Sequence, residues 1–145
     1  MTFEQTQEKA KAVWQEFTGE DKARILVGAG TCGRAAGADE IMESLPALLQ
    51  QKGIQAEVCE VGCLGLCYAE PLLELAKPGA PRVLHSGVAA EDVPQLLDDY
   101  FGGDVFATNT ALAVMNGDAV GGLPAFDALP MMKGQVRIVL RNCGV

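Results

Sequence analysis

Cys63 and Cys67 stand four residues apart in Val61-Gly62-Cys63-Leu64-Gly65-Leu66-Cys67, and Cys32 follows an earlier apolar run about thirty residues upstream. Thiolates in glycine-containing loops, where backbone N–H groups can approach an anionic centre, are the ligand chemistry of an iron–sulfur cluster. Such a cluster takes four thiolates, and Cys32, Cys63 and Cys67 supply three. The same spacing also suits small buried hydrophobes, since free cysteine is often buried. Structural zinc fits less well, because it wants two close pairs and the sequence has one. A dithiol couple would need a resolving cysteine near Cys32, and Cys32-Gly33-Arg34-Ala35 has none. Cys59 falls within a strand pattern, over ten ångströms along the chain from Cys63 at ~3.3 Å per residue. It reads as core, and Cys143 near the terminus reads as structural.

Two other sites are set aside. His85 is the one histidine and is far in sequence from the cysteines, so Ser-His-Asp or Cys-His catalysis would rest on it alone. Gly28-Ala29-Gly30-Thr31-Cys32-Gly33 matches G-x-G-x-x-G after a strand and before a helix, a pattern that binds pyrophosphate in dinucleotide folds. The acidic residues that should hold a ribose, Glu57 and Glu60, come late for that role. The alternative is a tight turn that lets Cys32 approach another group.

Composition narrows the class. The chain has 145 residues, 49% of them apolar, enough for one domain with a core. Eleven Lys and Arg against 19 Asp and Glu give a net charge of −8, without a basic cluster, which disfavours nucleic acid and anionic membranes as partners. No apolar run approaches spanning length and the N-terminus is charged, so membrane insertion is not expected and the chain reads as cytoplasmic. Five cysteines without a secretion signal argue against a disulfide framework.

The elements that must position these residues follow from periodicity. Phe3, Ala10, Val13, Trp14 and Phe17 predict an amphipathic helix ending near Thr18-Gly19. Residues 24–27 form a β-type run. Ile41, Met42, Leu45, Leu48 and Leu49 then mark a helix to Lys52, kinked or divided at Pro46. Residues 54–61 predict a strand, and residues 72–75 and 82–85 two more, reversed by Lys77-Pro78-Gly79-Ala80-Pro81. Val93, Leu96, Leu97, Tyr100 and Phe101 mark a closing helix. From Asp104 onward, Asn109, Asn116-Gly117, Gly121-Gly122, Pro124 and Pro130 break every apolar run, which reads as a connecting segment before a last β-type run at 135–140. The order is β-α-β, then β-β-α. This predicts an α/β fold, a thioredoxin-like mixed sheet with an N-terminal helix and an irregular C-terminal extension, and argues against a doubly wound sheet, which needs helical crossovers where the reversal lies.

Four stretches together resemble a known family: residues 24–38 (RILVGAGTCGRAAGA), 61–71 (VGCLGLCYAEP), 78–93 (PGAPRVLHSGVAAEDV) and 137–145 (RIVLRNCGV). They are similar to the N-terminal thioredoxin-like [2Fe–2S] ferredoxin domain of the NADH-binding flavoprotein subunit of complex I-like NADH dehydrogenases, NAD(P)-reducing hydrogenases and formate dehydrogenases. The resemblance implies a division into an N-terminal helix (1–22), a thioredoxin-like domain (23–103), and a linker with the start of a truncated flavin domain (104–145). It matches Cys32 to the first ligand and Cys63 with Cys67 to a C-x₃-C pair. The fourth ligand is missing: Gly37 stands at one family spacing, and Ser44 or Leu45 at the other. With that gap, the expected role is an accessory domain with a degenerate cluster site, docking within a multisubunit oxidoreductase. The alternative is a working [2Fe–2S] domain relaying single electrons to or from the flavin domain, and a second alternative is nucleotide binding at the Gly28 turn. FMN and NAD(H) would bind only downstream. The expected partners are that flavin domain and the other subunits, and the isolated chain is expected to catalyse nothing.

Overall fold

The computed structural model describes residues 1–19, 21–115, 117–139 and 141–144, without the side chains of residues 16 and 18. Asn116, Leu140 and Val145, which entered the turn, strand and family readings, lie outside the described residues. The elements in chain order are α1 (Phe3–Thr18), β1 (Arg24–Gly28), α2 (Thr31–Ala36), α3 (Ala38–Lys52), β2 (Glu57–Val61), β3 (Leu73–Ala76), β4 (Val83–His85), α4 (Val93–Leu97) and β5 (Ala111–Val114). Five strands make one sheet in the order β2-β1-β3-β4-β5. β1 and β2 are parallel, joined by the helical crossover, while β1–β3, β3–β4 and β4–β5 are antiparallel. The Pro-Gly-Pro reversal therefore does what its residues imply, and a doubly wound sheet is excluded.

Alternation along the strands builds two cores. Ile25, Val27, Leu73, Leu75 and Val83 face Ile41, Leu45 and Leu49 of α3 and Val93, Leu96 and Leu97 of α4. On the opposite face, Leu72, Leu84 and Ala113 pack with Leu64, Leu66, Ala69, Phe126 and Met132. That second core holds the cysteine loop to the sheet. That face also buries a carboxyl group: Glu74, 2% exposed, accepts a hydrogen bond from Arg82 Nε at 2.6 Å. Burial drives the Glu74 pKa up, while Arg82 and then Arg24 oppose it.

Three local readings change. The helical stretch after Cys32 is divided at Gly37, whose φ of +113° ends α2 and starts α3, while Pro46 lies within continuous α3. A left-handed residue interrupts the helical hydrogen-bond ladder here, whereas α3 absorbs the proline. The segment after Asp104 is more than a connection, because Ala111–Val114 forms the fifth strand beside β4. Its Ala-rich sequence has little β propensity; backbone bonds from Ser86 N to Thr110 O (2.8 Å) and from Met115 N to Arg82 O (2.8 Å) fix it to the sheet. The described part of the 135–140 run contains no strand, and Val136, Ile138 and Val139 are exposed. α1 forms as its periodicity predicts, with a Thr2–Gln5 capping box. Phe3 and Val13 nevertheless remain 77% and 58% exposed. No helix among the described residues is long and apolar enough to cross a membrane.

Candidate metal centre

The loop between β2 and β3 is shaped by two leucines. Leu64 and Leu66 are buried in the second core, and Gly65 between them takes a φ of +88°. A side chain would resist that angle; glycine does not. With the leucines turned inward, Cys67 is exposed and Cys63 half-buried. Their sulfurs lie 3.7 Å apart, and the Gly65 N–H donates to Cys63 Sγ at 3.2 Å. Metal–thiolate bonds of about 2.3 Å at a tetrahedral angle put two sulfurs roughly 3.8 Å apart. The pair already has the bite of two ligands on one metal.

Electrostatics around Cys63 favour its neutral thiol in the absence of a cation. The Gly65 N–H lowers the Cys63 pKa, but desolvation, Cys67 and Glu70 together outweigh it, so the net direction is upward. A bound cation inverts this balance and deprotonates coordinating thiols. Glu70 beyond the loop is raised by burial against the opposing Leu72 N–H, which donates to its Oε2 at 2.9 Å. Its buried Oε1 has no hydrogen-bond partner among the described residues.

The turn that carries Cys32 packs directly on this loop. Ala29 N donates to Val61 O (3.0 Å) and Gly28 N to Leu72 O (2.9 Å), fixing the turn between the two strand ends that bracket the cysteines. A Cβ on Gly30 would come within 3.3 Å of Cys63 Cβ, and one on Gly33 would overlap the Gly28 carbonyl. The glycines of the dinucleotide-like pattern are thereby accounted for by close packing of turn, helix and cysteine loop. Cys32 itself is exposed at the start of α2. Among the described residues, no three His, Cys, Asp or Glu side chains converge closely enough to hold a metal ion. The structure thus brings together the elements carrying Cys32, Cys63 and Cys67, but only the last two sulfurs are at ligand spacing. The donor type and the bite of the pair fit an iron–sulfur group.

Neither expected position supplies the fourth ligand. Gly37 has no side chain, Leu45 is fully buried, and the Ser44 hydroxyl donates to Ile41 O at 2.9 Å within its own helix. Cys59 lies on β2 opposite Leu26, half-buried, with its pKa raised by desolvation. One more thiol, read from the sequence as structural, comes near the loop. Cys143 Sγ lies 3.6 Å from where a Cβ on Gly62 would stand, beside the first cysteine of the pair.

No family model matches the chain. The NADP-reducing hydrogenase subunit HndB of Solidesulfovibrio fructosivorans is 32% identical over 99 residues, which span 64% of this chain and 79% of that subunit. The chain belongs to the HndB family. Among solved structures, a thioredoxin-like [2Fe–2S] ferredoxin from Aquifex aeolicus superposes with a TM-score of 0.56 at 14% identity, over 67% of this chain and 96% of the ferredoxin. A 1.5 Å crystal structure of the wild-type thioredoxin-like ferredoxin from the same organism gives 0.55 at 15% identity, over 64% and 98%. The fold is thioredoxin-like, as the order of elements and the family resemblance both imply.

Proposed function

We propose that this HndB-family chain is the iron–sulfur domain of an NAD(P)-linked oxidoreductase subunit, and that it holds a working [2Fe–2S] cluster with Cys32, Cys63 and Cys67 as ligands. The 3.7 Å separation of the Cys63 and Cys67 sulfurs carries this reading, because it matches the distance between two thiolates bound to one iron. Such a cluster supplies one-electron transfer. The chain's own contribution is to hold the thiolates on a loop anchored by Leu64 and Leu66, and to aim the Gly65 N–H at a ligand sulfur, an interaction that tunes potential.

HndB is named as a subunit of an NADP-reducing hydrogenase, and by that relationship the partners of this chain are other parts of a multisubunit oxidoreductase. The sequence resemblance adds a flavin domain as its electron partner, with FMN and NAD(H) bound there. Ala111–Val114 completes the sheet as β5, and Met132, Arg137 and Gly144 pack back on the cysteine loop. All five cysteines are free thiols, which suits a reducing, cytoplasmic setting.

A docking-only role is the second reading, favoured by the lack of three converged donors among the described residues. Anaerobic purification, iron and acid-labile sulfide assay, and EPR after dithionite reduction separate the two. Stoichiometric iron with a rhombic signal that collapses in Cys67→Ser supports electron transfer. Colourless, iron-free protein that stays folded overturns it.

A further inference from the structure

A [2Fe–2S] cluster takes four terminal ligands, two on each iron. Cys63 and Cys67 have the spacing for one iron, and Cys32 offers one thiolate for the other. The positions at which the family resemblance would place the remaining ligand cannot serve, since Gly37 has no side chain, Ser44 is bonded within α3 and Leu45 is core. Cys59 belongs to β2. One thiol is left, and the fold delivers it to the loop.

The segment that carries Cys143 is tied across the cysteine loop at several points. Met132 is buried in the second core with Leu64, Leu66 and Ala69. Arg137 Nη2 donates to Leu64 O at 3.3 Å. Gly144 is buried at a φ of +75° and lies so close to the Leu64 side chain that any Cβ would collide with it. Between these anchors Cys143 is half-buried, its sulfur over Gly62 on the residue next to Cys63. Gly30, two residues before Cys32, packs on Cys63 itself. Two thiol-bearing segments therefore abut the cysteine loop, one from α2 and one from the C-terminal region.

We propose that Cys143 is the fourth terminal ligand of the cluster, so that Cys63 and Cys67 hold one iron and Cys32 and Cys143 the other. This deepens the proposed function and rests on it. It also replaces the degenerate site expected from sequence with a complete set of four thiolates, the last drawn from a part of the chain outside the thioredoxin-like core.

The test compares the 145-residue chain with Cys143→Ala, Cys143→Ser and Cys59→Ala, each reconstituted anaerobically with ferric iron and sulfide. The parent and Cys59→Ala should bind roughly two irons and two sulfides per chain. Cys143→Ala should lose the cluster to a chelator about tenfold faster or more, since losing even an outer partner of a metal ligand weakens binding by 10–100-fold. Cys143→Ser should keep some cluster with shifted EPR g values, because oxygen replaces sulfur at one iron. Alkylation with iodoacetamide, read by mass spectrometry, gives a measure that needs no variant: in the loaded parent, Cys143 should be protected together with Cys32, Cys63 and Cys67, and should become reactive after chelation. Unchanged stoichiometry, EPR and cluster lifetime in Cys143→Ala, or free alkylation of Cys143 with the cluster intact, overturns the assignment while leaving the proposed function standing. A parent that binds no iron overturns both.

Discussion

His85 makes the fold sensitive to acid by an amount that can be worked out. It is buried on β4, with Nδ1 3.1 Å from Thr110 Oγ1 and 3.3 Å from Thr108 Oγ1, and its buried Nε2 has no hydrogen-bond partner among the described residues. Desolvation lowers its pKa from 6.5 to about 4. A folded-state pKa below the unfolded one means that the unfolded chain binds the proton first. The stability contributed by neutral His85 is therefore complete above pH 6.5 and is lost as the pH falls toward 4. The full difference of about 2.5 units corresponds to about 3 kcal/mol, and between pH 7.5 and pH 5 the linkage relation gives a loss of about 2 kcal/mol. In a domain of this size that lowers Tm by roughly 6–8 °C. Glu70 and Glu74, whose pKa values are raised, act with the opposite sign, adding stability at low pH that is lost as the pH rises through their folded values. Comparison with a variant removes their part. Urea unfolding of the parent and His85→Gln at several pH values should show the variant gaining about 2 kcal/mol relative to the parent from pH 7.5 to pH 5. Curves that stay parallel within about 0.5 kcal/mol would refute the reasoning that burial holds this imidazole neutral.

Other substitutions probe the packing around the thiols and the buried polar groups. Gly33→Ala drives a Cβ into the Gly28 carbonyl and to within 3.2 Å of Glu70 Oε2, so α2 and Cys32 must move; it should cost about 1–3 kcal/mol and speed cluster loss. Gly102→Ala, with open space around it, is the matched control, and equal thermal melts for the two would sink the close-packing account. Arg82→Ala leaves Glu74 buried without its main partner and should cost about 2–3 kcal/mol at pH 7.5, toward the low end for a broken buried pair because Arg24 remains and the carboxyl can take a proton. That cost should shrink at pH 5, as measured by urea titration. Tyr100→Phe removes the donor to Pro81 O (2.8 Å) and should cost about 1 kcal/mol, visible as a shift in the denaturation midpoint at constant m-value.

Much of the fold is written locally. The stripe Ile41, Leu45, Leu49 marks α3, and the Pro-Gly-Pro reversal sets β3 against β4, because helix and turn preferences act between near neighbours. β5 was illegible for the converse reason: an Ala-Leu-Ala-Val run becomes a strand only when β4 offers its edge. Gly37 rather than Pro46 breaks the helix because the chain there enters the left-handed region, a choice that either residue type would permit on paper. The glycines at 28, 30 and 33 were legible as a tight turn, but what they make room for was not. Only packing shows that one admits Cys63 and another the backbone of β1.

The candidate site divides in the same way. Cys63 and Cys67 are four residues apart on one loop, so their spacing alone determined that they could share a metal, and the strand order determined that Cys32 would lie at the same end of the sheet. Which further thiol comes near the loop was decided by tertiary structure, because Cys143 meets Gly62 through Met132, Arg137 and Gly144 packing on residues far back in the chain. Local sequence preferences reach a few residues along the backbone, whereas a ligand set is fixed by which distant surfaces are buried together.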